Sequence, residues 1–196
     1  MKKIKIVNIF LLAIIFILFF SNNVFAYNLL GGKYSRGVSN TCYYVDSTAS
    51  SYTTRINAAA NNWVNTGHGW NPIYMTPVSS TYCTHMDFYG RTSNFFPNNR
   101  TLANTRFYTN SSQDITATVA DTSQTVNWFY AEININTGLL ATNTNDTQGT
   151  LAHEMGHAFG LAHDNNNTLC IMCQTASGRA VYLVSSDDND GINYLY

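Results

Sequence analysis

Charged side chains are scarce in this sequence. Asp, Glu, Lys and Arg together make up 11% of its 196 residues, and glutamate occurs only as Glu132 and Glu154. A balance so close to neutral excludes the basic stripe that marks a nucleic-acid-binding surface, and it gives no attraction to an anionic membrane surface. No internal repeat and no Pro/Gly/Ser-rich linker divides the chain into several domains. Its longest apolar run, Ile9 to Phe20, is too short to span a bilayer comfortably. Low charge does not mean disorder here, because thirteen Tyr, eleven Phe and three Trp supply ample surface for a core. Polarity comes instead from Asn, Thr and Ser. With so few glutamates, the place of each one carries information.

Residues 1–26 predict a signal peptide. Lys2, Lys3 and Lys5 form a charged start, the apolar run follows, and Val24-Phe25-Ala26 ends on a small residue suited to cleavage. No cysteine lies near the end of the apolar run to accept a lipid. The predicted product is a secreted chain, residues 27–196, reading as a single domain large enough to bury a core. Seven basic side chains against eleven acidic ones give it a net charge of about −4. Export makes Cys42, Cys83, Cys170 and Cys173 candidate disulfide partners. Three pairings exist in principle; the closeness of Cys170 to Cys173 favours that pair, leaving Cys42 with Cys83. A zinc site built from all four is disfavoured, since Cys42 and Cys83 each lack a second close partner.

Thr41 to Val45 is a short β-like run. Ile56, Ala59, Ala60, Trp63 and Val64 recur at helical spacing, with Gly67 as a stop. Met86–Tyr89 and Thr105–Tyr108 predict strands flanking an Asn/Pro-rich loop around Phe96, Pro97 and Asn98, and Trp128–Asn136 predicts another. The clearest helix is capped by Asn145 or Asp146, with Gln148 placed for a capping box and Leu151, Ala152, Met155 and Phe159 as its apolar face. A last helix opens near Ser185 or Ser186, carries Asp187 and Asp188 in its first turn, and runs to the C-terminus. About three helices interleaved with strands predict an α/β fold with a mostly parallel, twisted sheet.

Residues 153–163 read His-Glu-Met-Gly-His-Ala-Phe-Gly-Leu-Ala-His. His153 and His157, four apart on a helix, project from one face and can hold one zinc ion. Glu154 lies about 100° further round, within reach of the attacking water as a general base. Gly160 permits the left-handed backbone that ends the helix, and the turn brings His163 round as a third nitrogen ligand. Three neutral ligands leave one coordination position open and keep the site positive, which favours water ionisation.

These residues resemble the signature of the metzincin zinc endopeptidases, H-E-x-x-H-x-x-G-x-x-H followed by a Met-turn. Met172, in Cys-Ile-Met-Cys, is the Met-turn candidate, an apolar floor that does not ligate. Asp187-Asp188-Asn189-Asp190-Gly191-Ile192-Asn193-Tyr194-Leu195-Tyr196 is similar to the terminal helix of the matrixin branch, D-D-x-x-G-I-x-x-L-Y. The resemblance implies a metzincin-like catalytic domain with one antiparallel edge strand and an active-site helix followed by the Met-turn. It implies one catalytic Zn2+ held by His153, His157 and His163, with Glu154 as base and then acid. It also implies a monomer that binds an extended peptide along a sheet edge, with Gln174–Val184 forming a pocket wall. Asp164 looks more like the adamalysin or snapalysin branches. No P-R-C-G-type cysteine switch is present, and Leu102-Ala103-Asn104-Thr105 stands where a structural-zinc L-A-H-A would be. Ca2+ is common in the family, but without an EF-hand-like loop it stays undecided.

Other residues admit two readings. Glu132 suits a strand-end salt bridge or a substrate-facing role. His85 and Asp87 suit a surface strand or a structural metal site. His68, in Gly-His-Gly, reads as loop. Asp187 or Asp188 suits the helix N-terminus or an ion pair with a newly freed N-terminal ammonium. Against the peptidase stands a secreted zinc-binding module that holds a protein or cell-wall partner without cleaving it. Intact Glu154 argues against that module. Hydrolysis of a cell-wall amide finds no wall-binding repeat to support it. The low charge predicts recognition by backbone pairing and an apolar or small pocket.

Overall fold

A computed structural model describes residues 27–81 and 85–196. The predicted leader, residues 1–26, and Cys83 lie outside the described residues. Five strands form one sheet in the order β2-β1-β3-β5-β4: β1 Thr41–Val45, β2 Met75–Val78, β3 Met86–Arg91, β4 Ala103–Tyr108 and β5 Tyr130–Asn136. β1 pairs in parallel with β2 and β3, and β3 with β5. β4 runs antiparallel to β5 and forms one edge of the sheet. The sheet is therefore mostly parallel with one antiparallel edge strand. β2 was not foreseen. It holds four residues including Pro77, and a proline fits a strand whose outer side has no neighbour to receive its N–H.

Among the described residues, helices α1 Thr53–Val64, α2 Thr116–Ala120, α3 Asn145–Phe159 and α4 Ser186–Leu195 make four, the five-residue α2 being additional to the expected three. The cap of α3 also differs from expectation. Thr144, one residue earlier, receives the Thr147 N–H on its side chain at 3.0 Å. That register puts Gln148 beyond the capping-box position, and its Oε1 instead accepts from Arg55 Nη1 at 3.2 Å. α4 opens where foreseen, and Ser185 and Asp188 close a capping box there that was not foreseen.

α1 and α3 cover one face of the sheet. Tyr43, Phe88, Ile133 and Ile135 from the strands meet Ile56, Trp63, Leu151, Met155 and Phe159 in one buried cluster. Trp63 is wholly buried, lies edge-on to Phe159 with ring centres 5.5 Å apart, and donates its indole N–H to Ala152 O at 2.9 Å. Trp128 sits in a second cluster with Tyr34, Phe107 and Val119, and donates to Ala158 O at 2.8 Å. Tyr196 Oη donates to Phe159 O at 2.7 Å. Ala158 and Phe159 carry two of the carbonyls that a helix end leaves without intrahelical partners. The core thus grips α3 by hydrogen bonds as well as by apolar contact.

Trp63→Ala is expected to lower unfolding free energy by about 3–5 kcal/mol through lost burial and a residual cavity. Trp70→Ala, at a side chain 68% exposed, is expected to change it by no more than about 0.5 kcal/mol. Urea unfolding of the two variants beside the parent checks both.

Candidate metal centre

The site begins with α3. His153 and Glu154 are buried on its inner face, and His157 follows one turn later. Gly160 then adopts φ 119°, a left-handed conformation that a Cβ would disfavour, and its N–H closes on Gly156 O and His157 O. The chain reverses and is held from outside. Leu30 N–H donates to Gly160 O (2.9 Å), Ala162 N–H to Asn28 O (2.9 Å), and Asn28 Nδ2 to His163 O (2.9 Å). The segment after the predicted leader therefore backs the turn that carries the third histidine.

The result is a convergence of three imidazoles. His157 Nε2 lies 3.1 Å from His153 Nε2 and 3.0 Å from His163 Nε2. His153 Nδ1 faces Ile171 O and His157 Nδ1 faces Leu161 O, each at 2.8 Å. A carbonyl oxygen only accepts, so each Nδ1 carries the proton and each Nε2 turns a lone pair inward. Three nitrogens about 2.0–2.1 Å from one tetrahedral zinc stand roughly 3.3 Å apart. The donor set and spacing fit that ion, and lone pairs at this separation repel unless a cation lies among them. Burial, above all, holds the His153 imidazolium well below the ordinary range and lowers His157 and His163 to about 4. The three imidazoles are consequently neutral at pH 7.

Met172 lies beneath this turn of α3. A Cβ at Gly156 would come within 2.3 Å of Met172 Sδ and 3.1 Å of Trp63, so the glycine is required by close approach. Asp188, at the start of α4, is 1% exposed and accepts the Ile171 N–H (2.8 Å) and the Met172 N–H (3.2 Å). Ile171 in turn presents its carbonyl to His153. One buried carboxylate thus links the last helix, the methionine turn and the first histidine.

Glu154 lines a cleft of about 470 Å³ together with the three histidines, Leu102–Thr105 of β4 and its approach, and Gln174, Thr175, Ala176 and Arg179. Thr105 Oγ1 lies 2.8 Å from Glu154 Oε2 and 2.9 Å from Glu154 O. Desolvation pushes the Glu154 carboxyl up to about 7, while the Thr105 hydroxyl and the Arg179 charge pull it down.

Matrixin is the family whose sequence model matches residues 84–196. The chain belongs to the matrixin family. The matched stretch covers more than half the chain and contains every residue of the histidine cluster. No curated protein matches the chain. The matrixin fold explains the parallel sheet, its antiparallel edge and the helix followed by the methionine turn.

Other candidates fall away from this centre. The chain's second glutamate, Glu132, adjoins Ile133, which faces the helices and pairs with Thr105, so Glu132 points to the opposite face of the sheet. There it accepts from Tyr108 Oη (3.0 Å) and lies 4.0 Å from Arg91, in line with the salt-bridge reading. His85 Nδ1 accepts the Cys42 N–H at 3.2 Å, and Asp87 accepts from Tyr130 Oη at 3.0 Å. His68 is exposed in its loop. Of the two C-terminal aspartates, Asp188 is committed to the methionine turn, while Asp187 accepts from Asn167 Nδ2 at 3.4 Å.

The expected Cys170–Cys173 disulfide is corrected, since both are buried free thiols. The turn gives them different partners: Cys170 Sγ faces the carbonyls of Asn167 (3.2 Å) and Asp164 (3.7 Å), and Cys173 Sγ faces Gln174 O (3.6 Å). Burial, helped by Asp188 and Asp164, pushes the Cys170 thiol up to about 12, which keeps it protonated. The Cys42–Cys83 pairing falls on Cys83, outside the described residues. Thr105, Arg179 and the tether by Asp188 were not foreseen. Arg179 alone left a trace, as the only Lys or Arg in residues 107–196.

Protons compete with a metal for these imidazoles. With His157 and His163 lowered to about 4, apparent zinc affinity is expected to stay flat from pH 7 to about 5 and to weaken below that. Ordinary histidines would lose affinity from about pH 6.5 downward. Competition titration against a chelator of known pH dependence distinguishes the two.

Proposed function

We propose that this matrixin is a secreted zinc-dependent endopeptidase, with Glu154 as its general base and acid. The observation that carries this reading is the convergence of three imidazole Nε2 atoms beside a buried carboxylate, in a cleft bordered by an edge strand. His153, His157 and His163 would hold the zinc ion, which when bound supplies Lewis acidity to the water and to the scissile carbonyl. Glu154 takes the proton of the attacking water and then delivers it to the leaving amine. Its raised pKa suits both halves of that task, since a carboxylate near neutrality can take a proton and give it back. The Thr105 hydroxyl orients the carboxylate and favours its charged form.

The outer edge of β4 supports an extended substrate, pairing main chain to main chain beside the histidines. Thr105 and Phe107, alternating with Asn104 and Arg106, face the cleft from that strand. Secretion rests on the leader-like residues 1–26, and action as a monomer on the resemblance to small metzincins.

Glu154→Ala is expected to lose cleavage of unfolded protein while still binding one zinc per chain. A variant that cleaves like the parent would remove Glu154 from the mechanism. A parent that binds zinc and cleaves nothing in a peptide library would favour the binding module instead. Loss of the Thr105 hydroxyl removes an interaction that favours the carboxylate. Activity falls as pH drops through the Glu154 titration, so Thr105→Val is expected to move the acid limb of kcat/KM to higher pH. A pH profile of the two proteins measures the displacement.

A further inference from the structure

Arg179 differs from Arg100, the other cation lining the histidine cleft, whose side chain is exposed. Arg179 is half-buried, and its Nη2 donates to Thr150 Oγ1 at 3.1 Å. Among the described residues the salt bridges join Arg91 to Glu132 and Arg106 to Asp114, at separations of up to 4.0 Å, and neither includes Arg179. A guanidinium offers five N–H donors in a planar fork matched to a carboxylate. Desolvation weighs against its charged form, and the carboxylates of Glu154 and Asp146 favour it without reaching it as a direct ion pair. A cation kept in such a place, facing a cleft, calls for an anionic partner.

The fold positions the head group closely. A Cβ at Gly149 would lie 3.2 Å from Arg179 Nη2 and 3.0 Å from Tyr182 Cα. A glycine within a helix weakens it, and here the missing side chain lets the segment from Arg179 to Tyr182 pass directly over α3. The guanidinium is thereby set one turn before His153, on the wall of the cleft. Of the residues lining that cleft, Glu154 is the only carboxylate, while Arg100 and Arg179 are both cations. Thr175 and Ala176 beside Arg179 are small and exposed, so no bulky side chain plugs the approach.

We infer that Arg179 is a specificity-determining residue, selecting an Asp or Glu side chain at the substrate position that enters between Thr150 and Thr175–Ala176. This rests on the peptidase reading and differs from the uncharged pocket expected from composition. The substrate carboxylate accepts the guanidinium N–H groups that Thr150 leaves open. A neutral side chain at that position leaves the cation desolvated with no carboxylate in direct contact, so discrimination on the order of tenfold to hundredfold in kcat/KM is expected.

The test uses the zinc-loaded protein and peptides of one Ala-rich sequence carrying Glu or Gln at successive positions. Cleavage is followed by mass spectrometry for the parent, Arg179→Gln and Arg179→Lys, with circular dichroism and zinc content confirming the fold. Calorimetry measures binding of the same peptides to Glu154→Ala and to Glu154→Ala combined with Arg179→Gln. The expected result is a preference for Glu over Gln at one position, lost in Arg179→Gln and partly kept in Arg179→Lys. Cleavage by the parent with no such preference overturns the role of Arg179 and leaves the peptidase standing, whether or not the variants fold. Preferential binding of Glu peptides that depends on Arg179, without cleavage by the parent, supports the anion pocket and overturns the peptidase. Neither cleavage nor binding preference overturns both.

Discussion

His157 Nε2 lies 3.1 Å from His153 Nε2 and 3.0 Å from His163 Nε2, and imidazole lone pairs gathered so closely are an unstable arrangement without a cation. The second half of the chain is organised around maintaining it. His153 is oriented by the carbonyl of Ile171 and His157 by the carbonyl of Leu161, so both rings are fixed through the nitrogen that faces away from the centre. The third ring is carried by a reversal that only a left-handed residue permits, and Gly160 supplies it. Removing any of these supports would let the lone pairs separate, because nothing but geometry holds them together.

The supports reach far from the centre in sequence. Asp188 accepts the N–H groups of Ile171 and Met172, Trp63 and Trp128 donate to carbonyls of α3, and Asn28–Leu30 backs the turn before His163. Each contact uses a polar atom at the edge of an apolar core, where a hydrogen bond is stronger and its loss costlier than in water. The first residues of the described chain and its last helix therefore meet behind the histidine cluster. Two glycines reflect the same crowding: Gly156 admits Met172, and Gly149 admits the segment carrying Arg179. In both places α3 gives up helix propensity for close packing.

Much of this was legible in the sequence. The histidine spacing places two imidazoles on one helical face for simple reasons of pitch, and the glycine before the third histidine announces the turn. The strands at Thr41, Met86 and Thr105, and the helices around Trp63 and Leu151, follow from apolar period. The misses have local causes. Thr144 caps α3 because a neighbouring hydroxyl reached the Thr147 N–H, which shifted the register by one and released Gln148 to Arg55. β2 is short, lies at an edge and contains proline, so its strand character comes from pairing with β1 and leaves little periodic signal. Cys170 and Cys173 are close in sequence, yet the turn directs their sulfurs to different carbonyls.

The sequence by itself determined the local grouping of side chains: three histidines, a neighbouring carboxylate and a turn, because those depend on spacings of a few residues along one helix and its end. Only the tertiary structure decided what surrounds them. Thr105 reaches Glu154 across 49 positions, Asp188 reaches Ile171 across 17, and Arg179 enters the cleft because Tyr182 and Gly149 lie in contact. Such contacts depend on how strands are ordered and helices laid over them, which no local spacing encodes. The same physics separates the chain's two glutamates: one-residue alternation along β5 sends Glu132 to the far face of the sheet, while helical pitch keeps Glu154 beside the histidines.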